Sequence, residues 1–169
     1  MQQNKLIHMY RIPALSEYRK TVLLKLVREK LNPSIQDIET EFCFNIDVSE
    51  PLTDLELSTL KWLLSETFEP EKFSDESFIA YHALPVTDNG IFEVGPRMNF
   101  STAWSTNAVS ICHACGLKKI NSIERSRRYK LIIGDKGIRG IVDKESLTPH
   151  LLNLLTSAFL ELIHDRMTE

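Results

Sequence analysis

The stretch Gly95-Pro96-Arg97-Met98-Asn99-Phe100-Ser101-Thr102-Ala103-Trp104-Ser105-Thr106-Asn107 gathers several side chains that could do chemistry. Pro96 ends a strand, and hydroxyl residues cluster where a helix begins. Free amides and the positive end of the helix dipole at such a point favour an anion. Arg97 adds charge, so Arg97, Ser101, Thr102, Ser105, Thr106 and Asn107 are candidates for anion binding or for a partner surface. The same residues also fit plain capping by Ser101 or Thr102, with Trp104 in the core. A second charged run is Glu124-Arg125-Ser126-Arg127-Arg128-Tyr129-Lys130. On a strand, Arg125, Arg127 and Tyr129 share one face, and Arg128 and Lys130 the other. Such a run reads as a solvated strand, or as a dock for an acidic partner or a phosphate, to which Arg125 and Arg128 contribute.

Cys112-His113-Ala114-Cys115 is a CxxC pair. A redox motif needs its nucleophile at a helix N-terminus, where the dipole lowers the thiol pKa. This pair falls at a helix C-terminal end. A structural zinc needs a second ligand pair, and Cys43 with the scattered His8, His82, His150 and His164 does not supply one in sequence. Buried structural thiols are the expectation, with no metal. Gly134-Asp135-Lys136-Gly137-Ile138-Arg139-Gly140 resembles the GxxG loop of KH RNA-binding domains. That loop joins two helices, whereas a strand-like run precedes this one, so a glycine-rich hairpin fits better. It lacks the Gly-Lys-Ser/Thr of a Walker A loop. His164-Asp165 reads as helix surface. No catalytic residue is assigned.

The elements that must position these residues follow from hydrophobic periodicity. Leu6 to Ile12 is a short strand-like run. From Ala14 to Leu31, the spacing of Leu15, Tyr18, Val22, Leu23, Leu26, Val27 and Leu31 predicts one apolar helix face, ended by Asn32-Pro33. Ile35 to Val48 alternates as a long strand, and Thr53-Asp54-Leu55-Glu56 is a capping box opening a helix with Leu55, Leu60, Leu63 and Leu64. Glu66 to Asp88 is a mixed, packed connector. Ile91 to Val94 is a strand and Asn99 to Cys115 a helix, with Trp104, Ala108, Ile111, Cys112 and Cys115 on one face and Gly116 at C′. Ile120 to Ile133 is a strand. Gly134 to Gly140 turns, and Ile141-Val142 pairs back. Thr148-Pro149 opens a last helix that buries Leu151, Leu152, Leu155, Ala158, Phe159, Leu162 and Ile163.

Ile35-x-x-Ile38-Glu39 recurs 85 positions later as Ile120-x-x-Ile123-Glu124. The same offset takes Leu6–Ile12 onto Ile91–Arg97 and Ala14–Leu31 onto Asn99–Gly116. The expected fold is α+β. Two strand-helix-strand-helix lobes, 1–68 and 89–169, are joined by connector 69–88. A pseudo-twofold relates them across an antiparallel sheet.

Composition narrows the function classes. The 169 residues are 43% hydrophobic and 25% charged, with a net charge of −3. That is ordinary for a globular chain and disfavours a generally basic nucleic-acid binder. Three cysteines are too few, and odd in number, for a disulfide scaffold. The start Met1-Gln2-Gln3-Asn4-Lys5 has no signal pattern, and no apolar run approaches the roughly 18 residues of a membrane span. A cytoplasmic chain without membrane contact is the expectation.

Gly95-Pro96-Arg97, Asn99-Phe100-Ser101-Thr102, Trp104-Ser105-Thr106-Asn107, Cys115-Gly116-Leu117, Ile123-Glu124-Arg125 and Arg128-Tyr129 together resemble the N-terminal domain of the phosphoribosylformylglycinamidine synthase family. Ile38-Glu39-Thr40-Glu41 with Phe44-Asn45 is similar to its first long strand. The closing Leu162-Ile163-His164-Asp165-Arg166-Met167-Thr168-Glu169 is similar to its last helix. The resemblance implies part of a carbon–nitrogen ligase of purine biosynthesis that uses ATP and glutamine-derived ammonia. In the family this domain resembles a dimer of the small subunit of the split enzyme. It packs between the synthetase and glutaminase domains and supports the ammonia path. ATP, magnesium and the glutaminase Cys-His-Glu set belong to later domains, so no cofactor is expected in this chain, and Cys112 and Cys115 are not that nucleophile. The chain would then be an excised domain or a separate piece, inactive alone. Two other readings stand beside it: a free-standing assembly subunit of a split synthase, and an RNA-binding module using the GxxG loop.

Overall fold

The computed structural model describes residues 5–33, 35–65, 69–79, 91–97, 100–133 and 157–164. The readings made for Gly134 to Gly140, Ile141-Val142, Thr148-Pro149 and Leu151 to Leu155 lie outside these residues, as do Met98 and Asn99. The elements in chain order are β1 (Lys5–Arg11), α1 (Glu17–Lys30), β2 (Ile35–Val48), α2 (Asp54–Leu64), a 3-10 turn at Pro70–Lys72, β3 (Phe73–Ser74), β4 (Ile91–Val94), α3 (Ala103–Ala114) and β5 (Ile120–Ile133). Residues 157–163 are helical and are called α4.

The strands form one antiparallel sheet of order β3-β1-β2-β5-β4. The two 14-residue strands β2 and β5 are its centre, pairing from Ile38↔Leu131 through Phe42↔Arg127 to Ile46↔Ile123. Their alternating sequences are what a sheet with two unlike faces requires. Ile38, Thr40, Phe42, Phe44, Ile46 and Val48 face one way with Ile123, Arg125, Arg127, Tyr129 and Leu131. The basic run of β5 is therefore central to the sheet and is not the solvated strand that its charge suggested.

The helices cover the apolar face in two groups. α2 and α3 enclose a cluster of Met9, Phe44, Ile46, Val48, Leu60, Cys112, Leu117, Ile120 and Ile123. α1 and α4 enclose Leu15, Val27, Ile35, Ile38, Val94, Tyr129, Phe159 and Ile163. Phe159 reaches Phe92 at 4.6 Å and meets Tyr129 edge-on at 5.9 Å, ring centre to ring centre.

Helix ends follow their caps. Ser16 Oγ accepts the Arg19 amide at 3.3 Å and Thr102 Oγ1 the Ser105 amide at 3.0 Å. α1 and α3 thus start three and four residues later than apolar spacing alone predicts. The α2 capping box is present on both sides: Thr53 N–H donates to Glu56 Oε2 at 2.8 Å and Glu56 N–H to Thr53 Oγ1 at 3.2 Å. α3 ends at Gly116, whose φ of 87° is open to glycine at little cost. The Leu117 amide then bonds Cys112 O and the Gly116 amide bonds His113 O, satisfying carbonyls that the helix leaves free.

Several expectations need correction. Tyr18 and Val22, placed on the buried face of α1, are exposed. Leu23, Val27 and Leu31 do pack inward as expected, and Leu24 joins them. Ile111 is also exposed, and of the CxxC pair only Cys112 is buried while Cys115 is exposed. The connector contains β3, which pairs with β1 through Tyr10↔Ser74 and Arg11↔Phe73.

Candidate functional site

The two helix entries meet over the middle of the sheet. The turn into α1 brings Ala14, Leu15 and Arg19, and the turn into α3 brings Pro96, Thr102 and Trp104. Between them Phe42, Glu124, Arg125 and Arg127 form the floor of an open cleft of about 290 Å³. Strand parity explains the floor: Phe42 and Arg127 are register partners, and Arg125 is two residues on.

Arg125 is held between two rings. Its guanidinium carbon lies 4.8 Å from the Phe42 centroid and 4.7 Å from that of Trp104. Arg11 also stacks on Phe42, at 5.4 Å. Planar guanidinium groups stack on aromatic faces and keep their hydrogen-bond forks free at the edge. Burial, then the charges of Arg11 and Arg127, push the Arg125 pKa down from its ordinary value. A guanidinium nonetheless stays charged at neutral pH, so the cleft concentrates positive charge. Glu124 is the acidic lining residue, and both its oxygens are used: Oε1 accepts the Thr102 amide at 3.1 Å and Oε2 the Thr102 hydroxyl at 3.0 Å.

The other sequence candidates spread out from this point. Arg97, Ser101, Thr106 and Asn107 are exposed near the start of α3, whereas Ser105 is buried at 1%. Asn107 borders a separate apolar groove with Leu63, Leu64, Ala108 and Ile111. Arg128 points to the opposite sheet face, where its Nη1 meets Glu41 Oε1 at 2.8 Å. The cleft thus unites Thr102 and Arg125, leaves Arg97 beside them, and does not include Ser105 or Arg128. Sequence reasoning missed Arg11, Arg19 and Phe42. The 85-residue offset carried a signal for all three, since it superposes Arg11 on Pro96, Arg19 on Trp104 and Phe42 on Arg127.

No nucleophile is prepared elsewhere among the described residues. Cys43 lies 3.8 Å from His8 Nδ1. However, burial, followed by the nearby Glu93 charge, pushes its thiol up to about 11, away from thiolate chemistry. Among the described residues, no three His, Cys, Asp or Glu side chains assemble as a metal site, and no helix is long and apolar enough to cross a membrane.

Comparison with known proteins identifies the family of the chain. Residues 41–169 match the family model described as formylglycinamide ribonucleotide amidotransferase N-terminal. The chain is 44% identical over 98% of its length to a probable phosphoribosylformylglycinamidine synthase, chloroplastic/mitochondrial, of Arabidopsis thaliana. It is 46% identical over 95% of its length to phosphoribosylformylglycinamidine synthase of Dictyostelium discoideum, and 35% over 81% to that of Homo sapiens. The match spans only 11% of the Arabidopsis and Dictyostelium proteins and 9% of the human one. With residues 41–169 matched and relatives of 44–46% identity over nearly its whole length, the chain belongs to the formylglycinamide ribonucleotide amidotransferase N-terminal family.

Proposed function

We propose that the chain is a non-catalytic domain of a glutamine-dependent, ATP-using phosphoribosylformylglycinamidine synthase of purine biosynthesis. It docks the synthetase and glutaminase parts of the same enzyme and supports ammonia transfer between them. The observation that carries this reading is family membership over most of the chain, joined to a match of only 11% of the length of the Arabidopsis and Dictyostelium relatives. A domain of that share with an arginine-lined cleft, and no prepared nucleophile among the described residues, suits assembly rather than turnover. ATP and magnesium are assigned to the other parts of the enzyme. The proposed compartment is the cytoplasm, while the name of the Arabidopsis relative carries the chloroplast and mitochondrion.

The proposed docking surface is the helix-entry cleft with Arg97, Thr102 and Arg125. An internal duplication would place it on a pseudo-twofold axis. In support, Phe42 and Arg127, 85 positions apart, pair directly at the middle of the β2–β5 ladder. The flanking strands agree in order and face but differ in register. Met9 pairs with Phe44, whereas Val94, its counterpart at the 85-residue offset, pairs with Arg127, the counterpart of Phe42. That two-residue slip keeps every side chain on its face.

Arg97→Ala and Arg125→Ala in the complete synthase test this reading. Glutamine-dependent activity is expected to fall while activity with free ammonia is retained. Unchanged glutamine-dependent activity in both variants would sink the docking surface.

A further inference from the structure

We infer that the helix-entry cleft binds a small oxyanion, a phosphoryl or carboxylate group, with Arg125 as its principal ligand and Arg19 and Arg127 beside it. The inference deepens the reading of this cleft as the contact surface and rests on it. Three observations lead to it.

First, Arg125 is oriented before any ligand arrives. Its guanidinium carbon lies over both the Phe42 and the Trp104 ring, at 4.8 and 4.7 Å from their centroids. A fork fixed in this way loses little entropy when it closes on two oxygens, and planar bidentate recognition of carboxylate or phosphate is what guanidinium does best. Second, the local charge is uncompensated at this side chain. Arg11 and Arg127 are the charged neighbours that act on Arg125, and no carboxylate among the described residues pairs with it. Glu124, which lines the same cleft, has given both oxygens to Thr102. Third, the size restricts the ligand. A cavity of about 290 Å³ lies at the bottom of the range of small-molecule sites, about 300–1,000 Å³. One anionic group fits there. The rest of a larger molecule, or the body of a partner domain, would remain outside the open mouth.

The tryptophans offer a direct probe. Trp104 lines the cleft, and Trp62, the other of the two, is 73% exposed on α2. In the Trp62→Phe chain, fluorescence reports Trp104 alone. Titration with inorganic phosphate is expected to give a saturable change that sodium chloride of equal ionic strength does not reproduce. Arg125→Lys keeps the charge but loses the fork and the stacking, and should weaken binding by about tenfold or more. Arg19→Gln, at an exposed helix position, should weaken it without disturbing the fold, as checked by far-UV circular dichroism. Glutarate titrated in parallel separates the sources. Tighter phosphate binding assigns a phosphorylated small molecule, and tighter glutarate binding a carboxylate side chain from another part of the enzyme. A response that does not saturate, or that chloride matches, overturns the inference, as does undiminished affinity in Arg19→Gln and folded Arg125→Lys.

The two proposals fail separately. Phosphate or glutarate binding with unchanged glutamine-dependent turnover removes docking and leaves the anion site. Lost turnover in the Arg125 variant of the complete synthase, with neither anion bound by the parent chain, does the reverse.

Discussion

Glu41 and Arg128 are register partners on the central strand pair, and their side chains meet on the face away from the helices at 2.8 Å. Glu41 is completely buried. Its Oε1 also accepts the Ser77 hydroxyl at 2.6 Å and its Oε2 the Phe78 amide at 2.9 Å, so one carboxylate anchors the segment after β3 to the sheet. Removing one partner of a buried pair leaves the other charge unsolvated, at a cost of about 3–5 kcal/mol. Glu41→Ala should lower stability by about that much in urea unfolding. The double variant Glu41→Leu, Arg128→Met should recover a large part of the loss. Equal instability of the single and double variants would show that the pair itself is not what holds this face.

Thr102 caps α3 and clasps Glu124 at once. Thr102→Ala removes the acceptor for the Ser105 amide and one of the two donors to Glu124. The expected loss is about 1–2 kcal/mol, read as a fall in the urea midpoint. Thr102→Ser keeps both bonds and should stay near the parent.

Glu56 links α2 to the turn before β5. The bond from the Thr53 amide first, and then that from Lys119, hold its carboxyl below the ordinary 4.5. A carboxyl lowered on folding adds stability above its unfolded pKa, and that stability disappears as pH falls through its folded value. Glu56→Gln should therefore be less stable than the parent at neutral pH, and the two should converge as acid protonates the parent. A gap that stays constant from neutral pH into the acid range would rule out the charge as its cause.

The three thiols should separate by exposure. Cys115 is exposed, Cys112 and Cys43 are buried, and burial raises the pKa of both buried thiols. Iodoacetamide at mildly alkaline pH should label Cys115 in the folded chain and all three after denaturation, as counted by intact-mass spectrometry. Rapid native labelling of Cys43 would contradict its placement.

The long strands were legible because alternation over 14 residues is a strong local signal. Ile35–Val48 and Ile120–Ile133 were read to their ends. The helix starts were read early because Leu15 and Phe100 continue an apolar spacing into the entry turns, whereas Ser16 and Thr102 decide where the helices begin. Spacings of three and four fit more than one rotation of a helix, and for this reason Tyr18 and Val22 were misplaced. The two residues of β3 carry no period at all. For the cleft, strand parity put Arg125 and Arg127 on one face correctly. Phe42 joins that floor only when β2 pairs with β5, Arg11 stacks on Phe42 from the neighbouring strand β1, and Arg19 reaches the cleft only after α1 packs on the sheet. The Glu41–Arg128 pair, 87 positions apart, leaves no local trace.

The central ladder also sets how the chain must fold. No hairpin joins β2 to β5: Val48 and Ile120 are 72 positions apart and Ile35 and Ile133 are 98 apart. Closing a loop of that length costs entropy before any ladder bond repays it, and non-local pairing slows folding by orders of magnitude relative to helical bundles. Both helix clusters rest on these two strands, so neither core can be completed until they find each other. Association of β2 with β5 is thus the step through which folding of the whole sheet has to pass.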